Sequence, residues 1–247
     1  MLQGLRTAAG ILRSFRIYYG HPARARAMDK LYSQFIRPGD LVFDVGAHVG
    51  DRVASFRRLG ARVIAVEPQP ALCHTLKLLF GRDANVTLVP SAIGGTCGTA
   101  EMKINPKNPT ISTLSDDFIA ASRKAVGWEG ESWSRSLEVP VTTLDTLVDA
   151  YGKPTFVKVD VEGFEAKALQ GLSQPPPALS FEFTTIQRAV GIECLQRCVV
   201  LGYTQFNAAI GESQTLGEWR SASALADWLI GLPHSANSGD IYARIPA

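Results

Sequence analysis

Leu41-Val42-Phe43-Asp44-Val45-Gly46-Ala47-His48-Val49-Gly50, read on to Glu67-Pro68, decides the fold. Residues 41–45 are apolar apart from one aspartate and follow the turn Pro38-Gly39-Asp40, as expected for a strand buried on both faces of a parallel sheet. The strand ends at the glycines, and a helix from about Asp51 to Leu59 is predicted, stopped by Gly60. A second apolar run, Arg62-Val63-Ile64-Ala65-Val66, ends in Glu67-Pro68, which completes a strand-helix-strand unit.

The alternation continues outward. A helix through Leu72, Leu76 and Leu79 precedes a strand at Val86-Thr87-Leu88-Val89 and a turn over residues 91–95. Val139-Pro140-Val141, a helix from Leu144 to Ala150, and a strand from Thr155 to Asp160 resume the pattern further on. Ala178 to Phe183 is another strand, a helix lies around Ile192 to Leu201, and strands at 203–208 and 240–245 flank a helix at 222–230. Repeated alternation of this kind implies a parallel sheet in one large α/β domain. Residues 106–138 break the rhythm with Pro106, Pro109, Gly127 and Gly130 and no single period, and are read as a lid-like insertion over the active site. The organisation expected is therefore a basic helical arm over residues 1–37 and a catalytic domain over 38–247.

The glycine loop delivers bare backbone amides into a helix start, which suits a nucleotide. Glu67, 21 positions after Gly46 at the end of the next strand, can accept hydrogen bonds from both hydroxyls of an adenosyl ribose. A dinucleotide fingerprint needs glycine at the first, third and sixth positions, whereas positions 46, 48 and 51 are Gly, His and Asp. Asp44, being negative, also suits a cationic sulfonium better than a pyrophosphate. S-adenosylmethionine is the cofactor these residues favour.

Further along, Asp160 and Glu162 would share one side of an extended strand end. An aliphatic hydroxyl is too weakly acidic to attack a methyl sulfonium unaided, so a base or a metal is needed. The two carboxylates are read as that base; alternatively they bind a divalent ion with Glu182, the less favoured reading. Lys158 can hold one of them ionised, while burial acts oppositely.

Three of these stretches resemble the FkbM-type methyltransferases: Phe43 to Gly50, Val66-Glu67-Pro68, and Val157-Lys158-Val159-Asp160-Val161-Glu162-Gly163-Phe164-Glu165. The resemblance spans roughly residues 38–210 and includes Thr142-Thr143-Leu144-Asp145. It implies a Rossmann-like class I methyltransferase fold with a seven-stranded, mostly parallel sheet, an antiparallel last strand and helices on both faces. It also implies methyl transfer to a hydroxyl of a carbohydrate, glycolipid or polyketide-like acceptor. Asp44, Gly46, Gly50, Glu67 and Pro68 carry over as cofactor contacts, with Ser91 and Ala92 beside the adenine. His48 departs from the asparagine common in that family, although histidine can also donate a hydrogen bond.

Charge and cysteine content bound the remaining possibilities. A net charge of +2 does not argue for nucleic acid. The charge is uneven: residues 1–40 hold seven basic and two acidic side chains, +5, so the remaining 18 basic and 21 acidic residues sum to −3. Leu5 to Tyr19 reads as a basic, partly amphipathic helix that packs over the domain or touches an anionic membrane surface. Cys73, Cys97, Cys194 and Cys198 are too scattered for a disulfide scaffold, so free thiols in a cytoplasmic protein are expected. No secretory or transmembrane segment is read, because arginines interrupt the N-terminal apolar stretch. Tyr18, Tyr19, Trp128 and Trp133 can stack on sugar faces or anchor their own segments. A non-catalytic adapter and a nicotinamide-dependent oxidoreductase are the two rival functions.

Overall fold

The structure, a computed structural model, describes residues 2–246, with side chains from Thr7 onward; Leu5 and Arg6 of the basic arm lie outside the described side chains. Ten strands form among these residues: β1 (Leu41–Val45), β2 (Arg62–Val66), β3 (Val86–Val89), β4 (Ala92–Ile93), β5 (Gly98–Ile104), β6 (Arg135–Thr142), β7 (Phe156–Val159), β8 (Ala178–Thr184), β9 (Gln205–Ile210) and β10 (Ser238–Arg244). The helices are α1 (Leu2–Tyr19), α2 (Pro22–Tyr32), α3 (Asp51–Arg58), α4 (Pro70–Phe80), α5 (Asp116–Ser122), α6 (Leu144–Tyr151), α7 (Glu165–Gln170), α8 (Arg188–Val200) and α9 (Ala222–Gly231).

Seven strands make one sheet in the order β3-β2-β1-β7-β8-β10-β9. The run β3-β2-β1-β7-β8 is parallel, and β10 lies antiparallel to both β8 and β9. This is the class I methyltransferase topology, with the last strand reversed. Because successive strand residues point to opposite faces, each central strand feeds two cores. Phe43, Val45, Ile64, Val66, Val157 and Val159 pack with Leu144, Leu169 and Leu195 from α6, α7 and α8. Val42, Val63, Ala65 and Phe156 pack with Leu31, Phe56 and Leu76 from α2, α3 and α4. Helices therefore cover both faces, which is why the strands read as continuous apolar runs.

Two local features differ from the sequence reading. Residues 106–138 are more regular than their composition suggests: they hold a 3-10 turn (Pro109–Ile111), α5 and the start of β6. Strand β5 pairs antiparallel with β6, and β4 parallel with it, in a small separate sheet. Its sequence, Gly98 to Ile104, buries only Met102 below a tenth, so it carries no apolar alternation to recognise. In α4, Leu72 and Leu76 are buried but Leu79 is 45% exposed, so the apolar stripe is narrower than the leucine spacing implies.

Cys194 and Cys198 are free and buried on α8, as expected. Among the described residues, no helix is long and apolar enough to cross a membrane.

Phe156 is fully buried at the junction of sheet and arm, with ring centroids of Tyr32, Phe35 and Phe56 at 5.7, 5.3 and 6.2 Å. Phe156→Ala leaves a cavity there and is expected to lower unfolding free energy by about 3–5 kcal/mol, measured by urea denaturation.

Candidate active site

The sheet order reverses direction between β1 and β7, and their carboxyl ends open into a crevice where ligands of such folds bind. The cleft there comprises about 850 Å³ of space between atoms, open solvent included. Asp44, Gly46, Glu67, Pro68, Ser91, Ala92, Asp160 and Glu162 all border it. The structure thus brings residues from four separate stretches of sequence to one place.

Gly46 has φ +85°, and a Cβ on it would fall inside the van der Waals radius of the Asp160 carbonyl oxygen. The glycine is needed because the two strand ends touch: Asp160 N donates to Val45 O at 2.9 Å. The expected cofactor contact Gly50 does not border the cleft. It starts α3 with φ +81°, and its Cβ would meet Phe80 Cε2 at 2.5 Å, so packing beneath α4 accounts for it.

His48 also adopts a left-handed backbone, φ +50°, a conformation that asparagine and histidine tolerate better than most residues. That shared tolerance explains how histidine can stand where the resemblance leads one to expect asparagine. Its backbone N donates to Glu67 Oε2 at 3.0 Å, and Gln69 N donates to Glu67 Oε1 at 2.9 Å. Two backbone donors thus orient the Glu67 carboxylate while leaving lone pairs for ribose hydroxyls. Burial pushes Glu67 up to about 7 against the pull of those donors. Asp44, 1% exposed, is likewise pushed up to about 7 by burial, partly offset by Lys158, and its Oδ2 has no hydrogen-bond partner. An enclosed acceptor without a donor fits an ammonium or sulfonium group in the cleft. The Ser91 hydroxyl donates to Pro140 O at 2.9 Å.

The acidic end of the cleft is organised by Lys158, 1% exposed, whose Nζ donates to Asp160 Oδ2 at 3.0 Å and Asp240 Oδ1 at 2.9 Å. Burial raises Asp160, but the ammonium beside it more than offsets this and holds it below the usual carboxylate range. Glu162 has only Asp160 and Glu165 charges against it on top of burial, and is raised well above its ordinary value. The two carboxylates do converge, although not by strand alternation. Strand β7 stops at Val159, and Glu162 (φ +57°) and Gly163 (φ +84°) form a left-handed turn that carries Glu162 back. Glu165 secures that turn: its Oε1 accepts from Val161 N at 3.0 Å and Gly163 N at 3.2 Å.

Further residues at or over the cleft come from outside the motifs that the sequence singled out for the cofactor and the chemistry. Gly10, Ser14 and Tyr18 are spaced by four on α1 and share a helix face that covers the loop. Ser14 Oγ and Thr110 Oγ1 lie 3.4 and 3.2 Å from His48 Nε2, and Tyr18 stands edge-on to the imidazole. Burial lowers His48 to about 4, so its ring is neutral near pH 7 and serves as a hydrogen-bonded joint between loop and cover. Thr113 Oγ1 donates to Glu162 O at 2.7 Å, tying the 106–138 excursion to the acidic turn. Arg52 and Glu212 border the cleft as an ion pair at 3.0 Å, and Arg24 reaches the same glutamate at 2.8 Å. Only tertiary contact joins these groups, from α2, α3 and the loop after β9. Trp128 and Trp133 do not border the cleft; both rings stand edge-on to Phe118, and Trp133 Nε1 donates to Ile111 O at 2.7 Å, which anchors their own segment.

The family model of the methyltransferase FkbM domain matches residues 44–222. Hexuronic acid methyltransferase AglP of Haloferax volcanii is 28% identical over 153 residues, 61% of this chain and 57% of that protein. The chain therefore spans little more than half the length of this relative. A TehB-like SAM-dependent methyltransferase from Corynebacterium glutamicum superposes with a TM-score of 0.45 at 12% identity, covering 89% of this chain and 88% of that one. A precorrin-6y C5,15-methyltransferase from Geobacter metallireducens gives 0.43 at 14%, covering 90% and 87%.

If the ionised form of Glu67 binds the ribose, binding is full above about 7 and weakens as the carboxylate gains its proton below that. Calorimetry with S-adenosylhomocysteine should then show affinity falling about tenfold between pH 8 and pH 6, with a shallower slope in Glu67→Gln. Gly46→Ala pushes the β1 and β7 ends apart and is expected to cost about 1–3 kcal/mol of stability and to weaken the same binding.

Proposed function

This chain belongs to the methyltransferase FkbM domain family, and on that footing we propose that it transfers a methyl group from S-adenosylmethionine to a hydroxyl of a carbohydrate or glycolipid acceptor. The observation that carries the reading is the meeting of Asp44, Glu67, Asp160 and Glu162 around one cleft. One end of that cleft offers acceptors for an adenosyl ribose and a cation, and the other offers basic groups for a hydroxyl.

When bound, the cofactor supplies an electrophilic methyl on a cationic sulfur and leaves as a neutral thioether. The protein's part is to hold the acceptor oxygen in line and to take its proton. A hydroxyl near pKa ~16 is far less acidic than any carboxylic acid, so the proton leaves only as the oxygen–carbon bond forms. Glu162, raised by burial and by its acidic neighbours, is the more basic carboxylate and receives that proton. Asp160, pinned by Lys158, stays anionic and fixes the direction from which the hydroxyl approaches. Glu162 would take the hydroxyl proton as the acceptor oxygen becomes bonded to carbon, while Asp160 holds that oxygen in place.

Support for a sugar-like acceptor comes from AglP, a relative described as a hexuronic acid methyltransferase, and from polar groups at the cover such as Tyr18, Thr110 and Ser112. Tyr18 is the one aromatic of the arm that borders the cleft, where it can pack on a pyranose face.

Transfer of labelled methyl from S-adenosylmethionine to a panel of glycans is the direct test. Methylation of a sugar hydroxyl is expected, and methylation confined to protein or nucleic acid would overturn the acceptor class. Asp160→Asn and Glu162→Gln should each cut turnover about a hundred- to ten-thousand-fold with homocysteine-analogue binding retained. Unchanged turnover in either would remove that residue from the chemistry.

A further inference from the structure

The neighbours of the acidic turn are accounted for by partners, and the carboxylate of Glu162 is not. Lys158 is shared by Asp160 and Asp240, and Glu165 is taken by the backbone of the turn. Glu162 is 8% exposed, and no hydrogen bond reaches its carboxylate; its only such contact is through its backbone carbonyl. Glu182 shares a side-chain hydrogen bond with Asp160, and its Oε2 is sealed from solvent without a protein donor.

The sheet explains why these groups meet. Val159 pairs with Phe181 in the parallel β7–β8 ladder, so Asp160 and Glu182 follow at the same level on adjacent strands and point to the same side. The left-handed turn returns Glu162 to that point. One oxygen from each of Asp160, Glu162 and Glu182 lies within 4.8 Å of the other two. Oxygens on opposite sides of one ion are separated by twice the metal–oxygen distance, roughly 4.1 Å for Mg²⁺ and roughly 4.6–5.2 Å for Ca²⁺. Separations of up to 4.8 Å match the calcium span and would need a small closure for magnesium, and a set with no sulfur or imidazole selects that class over zinc or copper.

Charge points the same way. Full ionisation of Asp160, Glu162, Glu182 and Asp240 against the Lys158 ammonium and the nearby Arg52 guanidinium would leave an excess of negative charge in a partly closed space. A divalent cation and a cationic cofactor together would cancel it. We propose that Asp160, Glu162 and Glu182 bind a divalent cation of the magnesium, manganese or calcium class at the acceptor end of the cleft. The three protein oxygens leave coordination positions open toward the cleft. A hydroxyl bound there would be more acidic and held in line for transfer, with Glu162 still the group that takes its proton. The role in transfer rests on the proposed O-methylation, whereas the binding itself does not.

The test uses the full chain after chelator treatment, titrated with Mn²⁺ while the free-ion electron paramagnetic resonance signal is followed, and then with Mg²⁺ as competitor. About one equivalent should bind, and Glu182→Gln and Glu162→Gln should each weaken binding about tenfold or more with circular dichroism unchanged. Glu162→Gln lies outside the sheet and keeps the test open if the strand variant fails to fold. Absence of Mn²⁺ binding at millimolar concentration, or binding that neither variant alters, overturns the site. Binding of S-adenosylhomocysteine is measured in parallel, so that loss of the cofactor reading and loss of the cation site give different results.

Discussion

Lys158 is a buried ammonium at the centre of the sheet, and its pairing with Asp160 and Asp240 is the constraint on which the acidic half of the cleft depends. A charge that deep costs several kcal/mol to desolvate, and only close opposite charges offset it. Asp160 supplies one from just past the end of the same strand and Asp240 supplies the other from β10, two strands away. The pair therefore ties the central parallel strands to the reversed strand at the level of the cleft. It also separates the titration of neighbouring acids. Asp160 is held ionised, while Glu162 and Glu182, without such a partner, are pushed the other way. Two carboxyl groups of different basicity a few ångströms apart are what a proton-accepting site requires.

A second constraint is steric. β1 and β7 lie so close at their carboxyl ends that Gly46 has no room for a side chain against Asp160. The loop that would hold the cofactor and the turn that would hold the acceptor are thus one rigid junction. Above it, the arm contributes Gly10, Ser14 and Tyr18, and the excursion after β5 contributes Thr110 and Thr113. Gly10 belongs to this cover because a Cβ there would press on Pro109 Cδ at 2.7 Å. The neutral imidazole of His48 sits between the two covering segments, so the arm and excursion close the cleft together.

Much of this was legible in the chain. The runs at 41–45, 62–66 and 155–160 are apolar on both faces because both faces are covered, and that makes parallel strands conspicuous. Glu67 could be placed because it directly follows such a strand. By contrast β5 was illegible, since its sheet is small and half solvated and only Met102 is deeply buried. Gly50 was read as a ligand contact because a loop sequence cannot distinguish a glycine facing a cofactor from one facing Phe80. The convergence of Asp160 and Glu162 was anticipated from an extended strand, yet a positive-φ turn produces it.

By itself the sequence determined the central strands and the helices between them, their parallel alternation, and the residue types at two strand ends, because burial periodicity and glycine placement are local properties of the chain. Tertiary structure alone decided that Asp240 stands beside Lys158 and Asp160, that Arg24, Arg52 and Glu212 form one ion-paired group, and that α1 covers His48. Each of those depends on strand neighbours or packed segments distant in sequence, and no local pattern encodes the distance between charges that only the folded sheet brings together.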